Sequence, residues 1–292
     1  MKNKNIIILT LVFAVLVGFL VVKTYLPRFL SKPSAYMQKT SSLDKTSVQS
    51  LTIKDKTATI SIVKENSVWK INGKKADSDK VDNLINQLLT PDSPELIAQT
   101  DKRHKEFELT DDTATKITLD DKLTWLVGKS SGTGVYARFE GENDVYIIKD
   151  IWRTSLPSVS DWYDKTILEF DQTKLTKISF TQNGKTTVIV KKDEKWVDTN
   201  GKEVKKDKVE SLLPQLSNLT AHSLFDAEKK IDYPKTPTLT VTVEYDGKSE
   251  TLEFYKGSSD YLIKRMSDKE QFIASEYSIL SIVSAPKDLY SQ

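Results

Sequence analysis

The side chains that could do chemistry are few and scattered. The chain has two histidines, His104 and His222, and no cysteine. A zinc site takes three or four ligands, and neither histidine has a close His or Cys partner in sequence, so both read as polar loop residues. A serine hydrolase of the nucleophile-elbow type needs Gly-x-Ser-x-Gly on a strand-to-helix turn; Gly128-Lys129-Ser130-Ser131-Gly132 has that spacing but lies between two strand-like segments, so it makes no elbow. Ser131-Gly132-Thr133-Gly134 is small and flexible, but it lacks the lysine of a phosphate loop. It also lies between two strand-like segments, where a phosphate cradle needs a helix to follow. It reads as a hairpin loop. Asp111-Asp112 and Asp120-Asp121 are the types that hold hard cations or serve a glycosidase, yet they lack calcium-loop spacing and read as solvated turns. One aromatic group stands apart. Trp152, Trp162 and Tyr163 cluster near the middle of the chain, where they serve either as packing or as a platform for a peptide or glycan. They are the weak binding candidates; no catalytic, metal or cofactor residue is assigned.

What positions these residues starts with an N-terminal apolar run. Ile6 to Val22 carries no charge. As a helix it spans roughly 26 Å, and with Lys23 snorkelling it can reach across a hydrocarbon core about 30 Å thick. The run is longer than a signal peptide's apolar region and no small-x-small cleavage site follows it, so it reads as an uncleaved anchor. Basic residues flank it on both sides, so charge counting leaves its direction open. A short basic N-terminus ahead of a long polar domain favours a signal-anchor with the domain outside the cytoplasmic membrane. Residues 31–50 are polar and show no period, as a tether would.

The net charge of +2 misleads. The first 44 residues hold six bases and one acid, and the remainder holds 37 bases against 40 acids. Mixed, slightly acidic charge gives no footprint for nucleic acid. Pairs such as Lys74-Lys75 and Lys205-Lys206 read as solvated faces.

The most informative feature is an internal repeat. Trp69 and Trp196 each precede an Asn-Gly pair (Asn72-Gly73 and Asn200-Gly201) and then an Asp-Lys-Val. A helix pattern follows in each copy: Val81, Leu84, Ile85, Leu88 and Val209, Leu212, Leu213, Leu216. The offset is 127 residues at the tryptophans and 128 at the helices. Upstream, Ala58, Ile60 and Ile62 alternate as a half-buried strand requires. Asn183-Gly184, Asn200-Gly201 and Asp246-Gly247 are expected to supply positive-φ hairpin turns. Asp207 is expected to cap its helix with Glu210 reaching back, and Pro214 to kink it. The fold expected is α+β: two tandem repeats of mostly antiparallel sheet with one main helix each, after an N-terminal transmembrane helix. The expected divisions are a cytoplasmic tail (1–4), an anchor (5–26), a polar tether (27–50), a first repeat (51–168) and a second repeat (169–292).

The joint between the copies runs Ser160-Asp161-Trp162-Tyr163-Asp164-Lys165-Thr166-Ile167-Leu168-Glu169-Phe170-Asp171, followed by Lys174-Leu175-Thr176-Lys177-Ile178. With the Trp/Asn-Gly, Asp-x-Val and Leu-Leu-x-x-Leu elements and the approach Glu106–Ile117, it resembles the bacterial family catalogued as domain of unknown function 4340, over about residues 45–290. The resemblance implies an anchored envelope protein; some relatives are linked to ABC-transporter or gliding-motility components, and it implies no activity. The function expected is therefore a non-enzymatic, membrane-anchored extracytoplasmic binding or accessory module of the cell envelope, with a transporter-complex subunit as one form of it. Its partners would be the membrane and an envelope protein or membrane complex, not nucleic acid. The alternative is a hydrolase of envelope polymer with an unidentified acidic site.

Overall fold

A computed structural model of the chain describes residues 13, 15, 34–151, 153, 156, 158–193, 195–226, 228 and 232–289. The strands are built from alternating sequences. In β1 (Ser50–Lys54) Leu51 and Ile53 turn inward, and in β2 (Thr59–Glu65) Ile60 and Ile62 do the same. They pair antiparallel, Leu51 opposite Ile62 and Ile53 opposite Ile60, so the apolar faces coincide. With β3 (Val68–Ile71), β4 (Lys74–Lys75), β5 (Glu95–Ala98), β6 (Thr115–Leu119), β7 (Leu123–Ser130), β8 (Gly134–Phe139) and β9 (Val145–Lys149) they form one sheet. Its order is β4-β3-β2-β1-β6-β7-β8-β9-β5.

A short sheet pairs β10 (Thr166–Glu169) with β14 (Asn218–Thr220). The third sheet contains β11 (Leu175–Gln182), β12 (Lys185–Lys192), β13 (Lys195–Asp198), β15 (Ser223–Leu224), β16 (Leu239–Tyr245), β17 (Lys248–Lys256), β18 (Asp260–Arg265) and β19 (Gln271–Ser275). Its order, β13-β12-β11-β16-β17-β18-β19-β15, follows the first sheet strand for strand, apart from β4. Among the described residues, helices α1 (Ala35–Thr40), α2 (Ser78–Leu89), α3 (Lys206–Ser217) and α4 (Leu280–Asp288) are found.

The chain falls into two compact units, Met1–Val63 with Asp82–Pro157, and Lys64–Val81 with Ser158–Gln292. In the first, Phe107, Leu109, Leu126 and Val145 form one buried cluster. Tyr36 is enclosed too, its ring 4.9 Å from that of Phe139 and 5.1 Å from that of Tyr146. In the second, Val209, Leu212 and Leu216 of α3 and Ile282 of α4 join Phe180, Val241, Phe254 and Phe272 from the sheet.

Several expectations are corrected. The α+β fold led by a transmembrane helix does not hold: the structure is mostly antiparallel sheet, and no helix among the described residues is long and apolar enough to cross a membrane. The anchor segment, 5–26, lies outside the described residues except for Phe13 and Val15. The third sheet has two helices beside it, α3 and α4, not one. Part of the expected tether is folded, because α1 buries Tyr36 and Thr40, and Val48 is buried just before β1. Lys205, not Asp207, holds the cap position of α3 and makes no side-chain capping bond. Asp207 sits in the first turn, and Glu210 lies 3.6 Å from Lys206 instead of reaching back. Asn183-Gly184 and Asp246-Gly247 have paired positive φ, as two-residue hairpins require. At Asn200-Gly201 only the glycine does. There Asp198 Oδ1 accepts from the backbone N–H of Asn200 and Lys202 and holds a wider loop.

Candidate functional site

The cleft with the richest chemistry lies within the second unit. It begins where the chain leaves β4. The N–H of Asp77 donates to the Trp162 carbonyl at 2.8 Å, and the N–H of Asp164 donates to the Lys75 carbonyl at 3.0 Å. Ala76 stands opposite Tyr163 as an antiparallel bridge. Two charged segments, 75–77 and 162–164, are thereby fixed side by side. Asp77 Oδ1 accepts from the Lys80 N–H at 3.0 Å and opens α2. β10 and β14 add Thr166, Glu169, Asn218 and Thr220, and the cavity between these walls measures about 630 Å³.

Its charges are arranged unequally. Lys75 Nζ is 2.6 Å from Asp164 Oδ2, and Asp164 Oδ1 accepts from the Thr166 N–H at 2.9 Å. Burial works to raise the Asp164 pKa, but the bonds from Lys75 and Thr166 outweigh it and hold the carboxyl below the usual range. Lys80 Nζ donates to the Asp161 carbonyl at 2.9 Å and lies 4.8 Å from the centre of the Trp162 ring. Burial lowers its pKa, against the pull of Asp161 and Asp77. Lys165 Nζ stands 3.9 Å from Asp161 Oδ1.

The residues singled out in sequence fare differently. Trp162 is 1% exposed, so its ring packs inside and offers no face to a ligand. Tyr163 lines the cleft, its hydroxyl accepting from Asn72 Nδ2 at 3.3 Å. Trp152 lies outside the described residues. His104 is buried, with Nε2 3.1 Å from the Asn143 carbonyl. The backbone N–H of His222 donates to the Ile273 carbonyl. Neither histidine lines the cleft. Asp111 pairs with Lys116 at 2.7 Å. Asp120 and Asp121 form the positive-φ turn between β6 and β7, where Asp120 Oδ1 accepts from the N–H groups of Gln49 and Ser50. Ser131 to Thr133 join β7 to β8 as a loop. Among the described residues no group of three His, Asp or Glu is placed to hold a metal ion.

Sequence reasoning missed Lys75, Lys80, Asp161, Asp164 and Glu169. The signal lies in the joint, where Asp161, Asp164, Lys165 and Glu169 surround the aromatic pair.

Residues 69–236 match the family described as domain of unknown function (DUF4340). The chain belongs to this family. The matched span contains every residue that lines the cleft, from Lys75 to Thr220. No curated protein and no solved structure matches the chain.

Proposed function

We propose that the chain is a non-catalytic binding or accessory module of the cell envelope. The observation that carries this reading is the cleft between residues 75–80, 161–169 and 218–220. Its volume falls in the range of ligand sites, roughly 300–1,000 Å³. One of its carboxylates, Asp164, is clamped by Lys75 and shifted down. A general acid working near neutral pH needs the opposite shift. Neither histidine is present there to activate Ser78 or a hydroxyl of β10 or β14. The apolar, charge-free run from Ile6 to Val22 supports a place at a membrane, and the short basic N-terminus ahead of it favours the module outside the cytoplasm.

The test uses the full chain purified with its membrane. Thr220 is exposed at the cleft wall, and Thr220→Trp sets an indole into the opening. A partner should co-purify with the wild type in fixed stoichiometry and be lost from the variant. Turnover of an envelope polymer by the wild type, abolished in the variant, would overturn the reading in favour of a hydrolase.

A further inference from the structure

The charge in the cleft narrows what it binds. Five carboxylates line it, from Asp77, Asp79, Asp161, Asp164 and Glu169, against the ammonium groups of Lys75, Lys80 and Lys165. The cations are already engaged from within. Lys75 is held by Asp164, Lys80 by the Asp161 carbonyl and the Trp162 ring, and Lys165 faces Asp161. Asp77 is occupied in opening α2. Asp79 and Glu169 remain. Both are exposed, and among the described residues neither carboxylate makes a hydrogen bond or ion pair.

We propose that the cleft docks an extended polypeptide segment of a partner protein, whose lysine or arginine side chains pair with Asp79 and Glu169. This rests on the binding reading above. Two considerations favour a polypeptide over a small cation. The cavity is far larger than one ammonium or metal ion fills, and no group of three His, Asp or Glu among the described residues is placed to coordinate a metal. The walls also offer Ser78, Thr166, Thr220 and Asn218 beside the carboxylates. These are neutral donors and acceptors of the kind that meet peptide amides. Charge complementarity of this sort sets partner choice and encounter rate, and it weakens with salt.

The experiment measures fluorescence anisotropy of a labelled twelve-residue peptide of alternating lysine and serine, added to the detergent-solubilised full chain. A glutamate-serine peptide and spermine serve as comparisons. The lysine peptide should bind, weaken at least tenfold on D79N/E169Q, and weaken further between 50 and 200 mM salt, as expected for screened charge pairs. The glutamate peptide should not bind. Because both carboxylates are exposed and unpaired, the double variant should fold as the wild type does, which its far-UV circular dichroism checks. Equal binding of both peptides, full binding by D79N/E169Q, absence of lysine-peptide binding, or displacement by spermine at equal charge would each overturn the proposal. A partner that co-purifies equally with the wild type and D79N/E169Q would leave the binding function standing while removing this account of its ligand.

Discussion

The oxygen of Tyr36 has two partners. It donates to the Leu88 carbonyl at 2.7 Å and accepts from the Trp125 indole N–H at 2.9 Å. Burial pushes its phenol pKa far above the ordinary value, so it stays a neutral hydroxyl able to do both. Tyr36→Phe removes one atom and leaves a buried carbonyl and a buried indole N–H without a partner. The expected loss is about 1–3 kcal/mol, read from urea midpoints of the wild type and variant; equal midpoints would contradict it. Nothing local in the sequence marks this residue. Its two partners lie 52 and 89 positions away, and it stands in a polar stretch without a period. The same distance hid the cleft: Lys75 and Asp164 meet only because the segments around Ala76 and Tyr163 pair. Trp162 and Tyr163 were visible as a pair, but adjacency could not tell which one faces inward.

Elements were more legible, because strand and hairpin signals are local. The alternation of Ile60 and Ile62 and the Asn183-Gly184 and Asp246-Gly247 turns carried over into β2 and into two tight hairpins. Asn200-Gly201 did not, since Asp198 supplied a competing local hydrogen-bond pattern that the dipeptide alone does not reveal. The helix around Val209 formed as its apolar spacing indicates, but its cap failed by two residues. Close approaches between elements leave no such trace. Gly128 in β7 lies against the Phe107 backbone: a Cβ there would come 2.0 Å from the Phe107 carbonyl oxygen, the acceptor for the Lys129 N–H. Gly128→Ala must therefore push two backbone segments apart. It should cost about 1–3 kcal/mol and lower the thermal midpoint, whereas a variant as stable as the wild type would show that the segments give way freely.

At the scale of the whole molecule, the repeat in sequence has a counterpart in topology: two sheets share one strand order. Smaller details agree. The N–H of Asp77 donates to the Trp162 carbonyl, and 128 residues on, the N–H of Lys205 donates to the Leu289 carbonyl at 3.4 Å. The cleft at residues 75–80 and 161–169 carries five carboxylates against three lysines. Net charge concealed this, because a balance over the whole chain says nothing about a local excess of two carboxylates.

The central claim is that this cleft receives a partner and does not turn over a substrate. It is tested most directly by placing a photo-reactive phenylalanine at position 163, inside the cleft, and a second at position 185, at the exposed start of β12. Illumination of intact envelopes should give one discrete protein adduct from position 163 and none from position 185. Equal labelling from both positions, or no adduct from 163 together with cleavage of an envelope polymer by the wild-type chain, would contradict it.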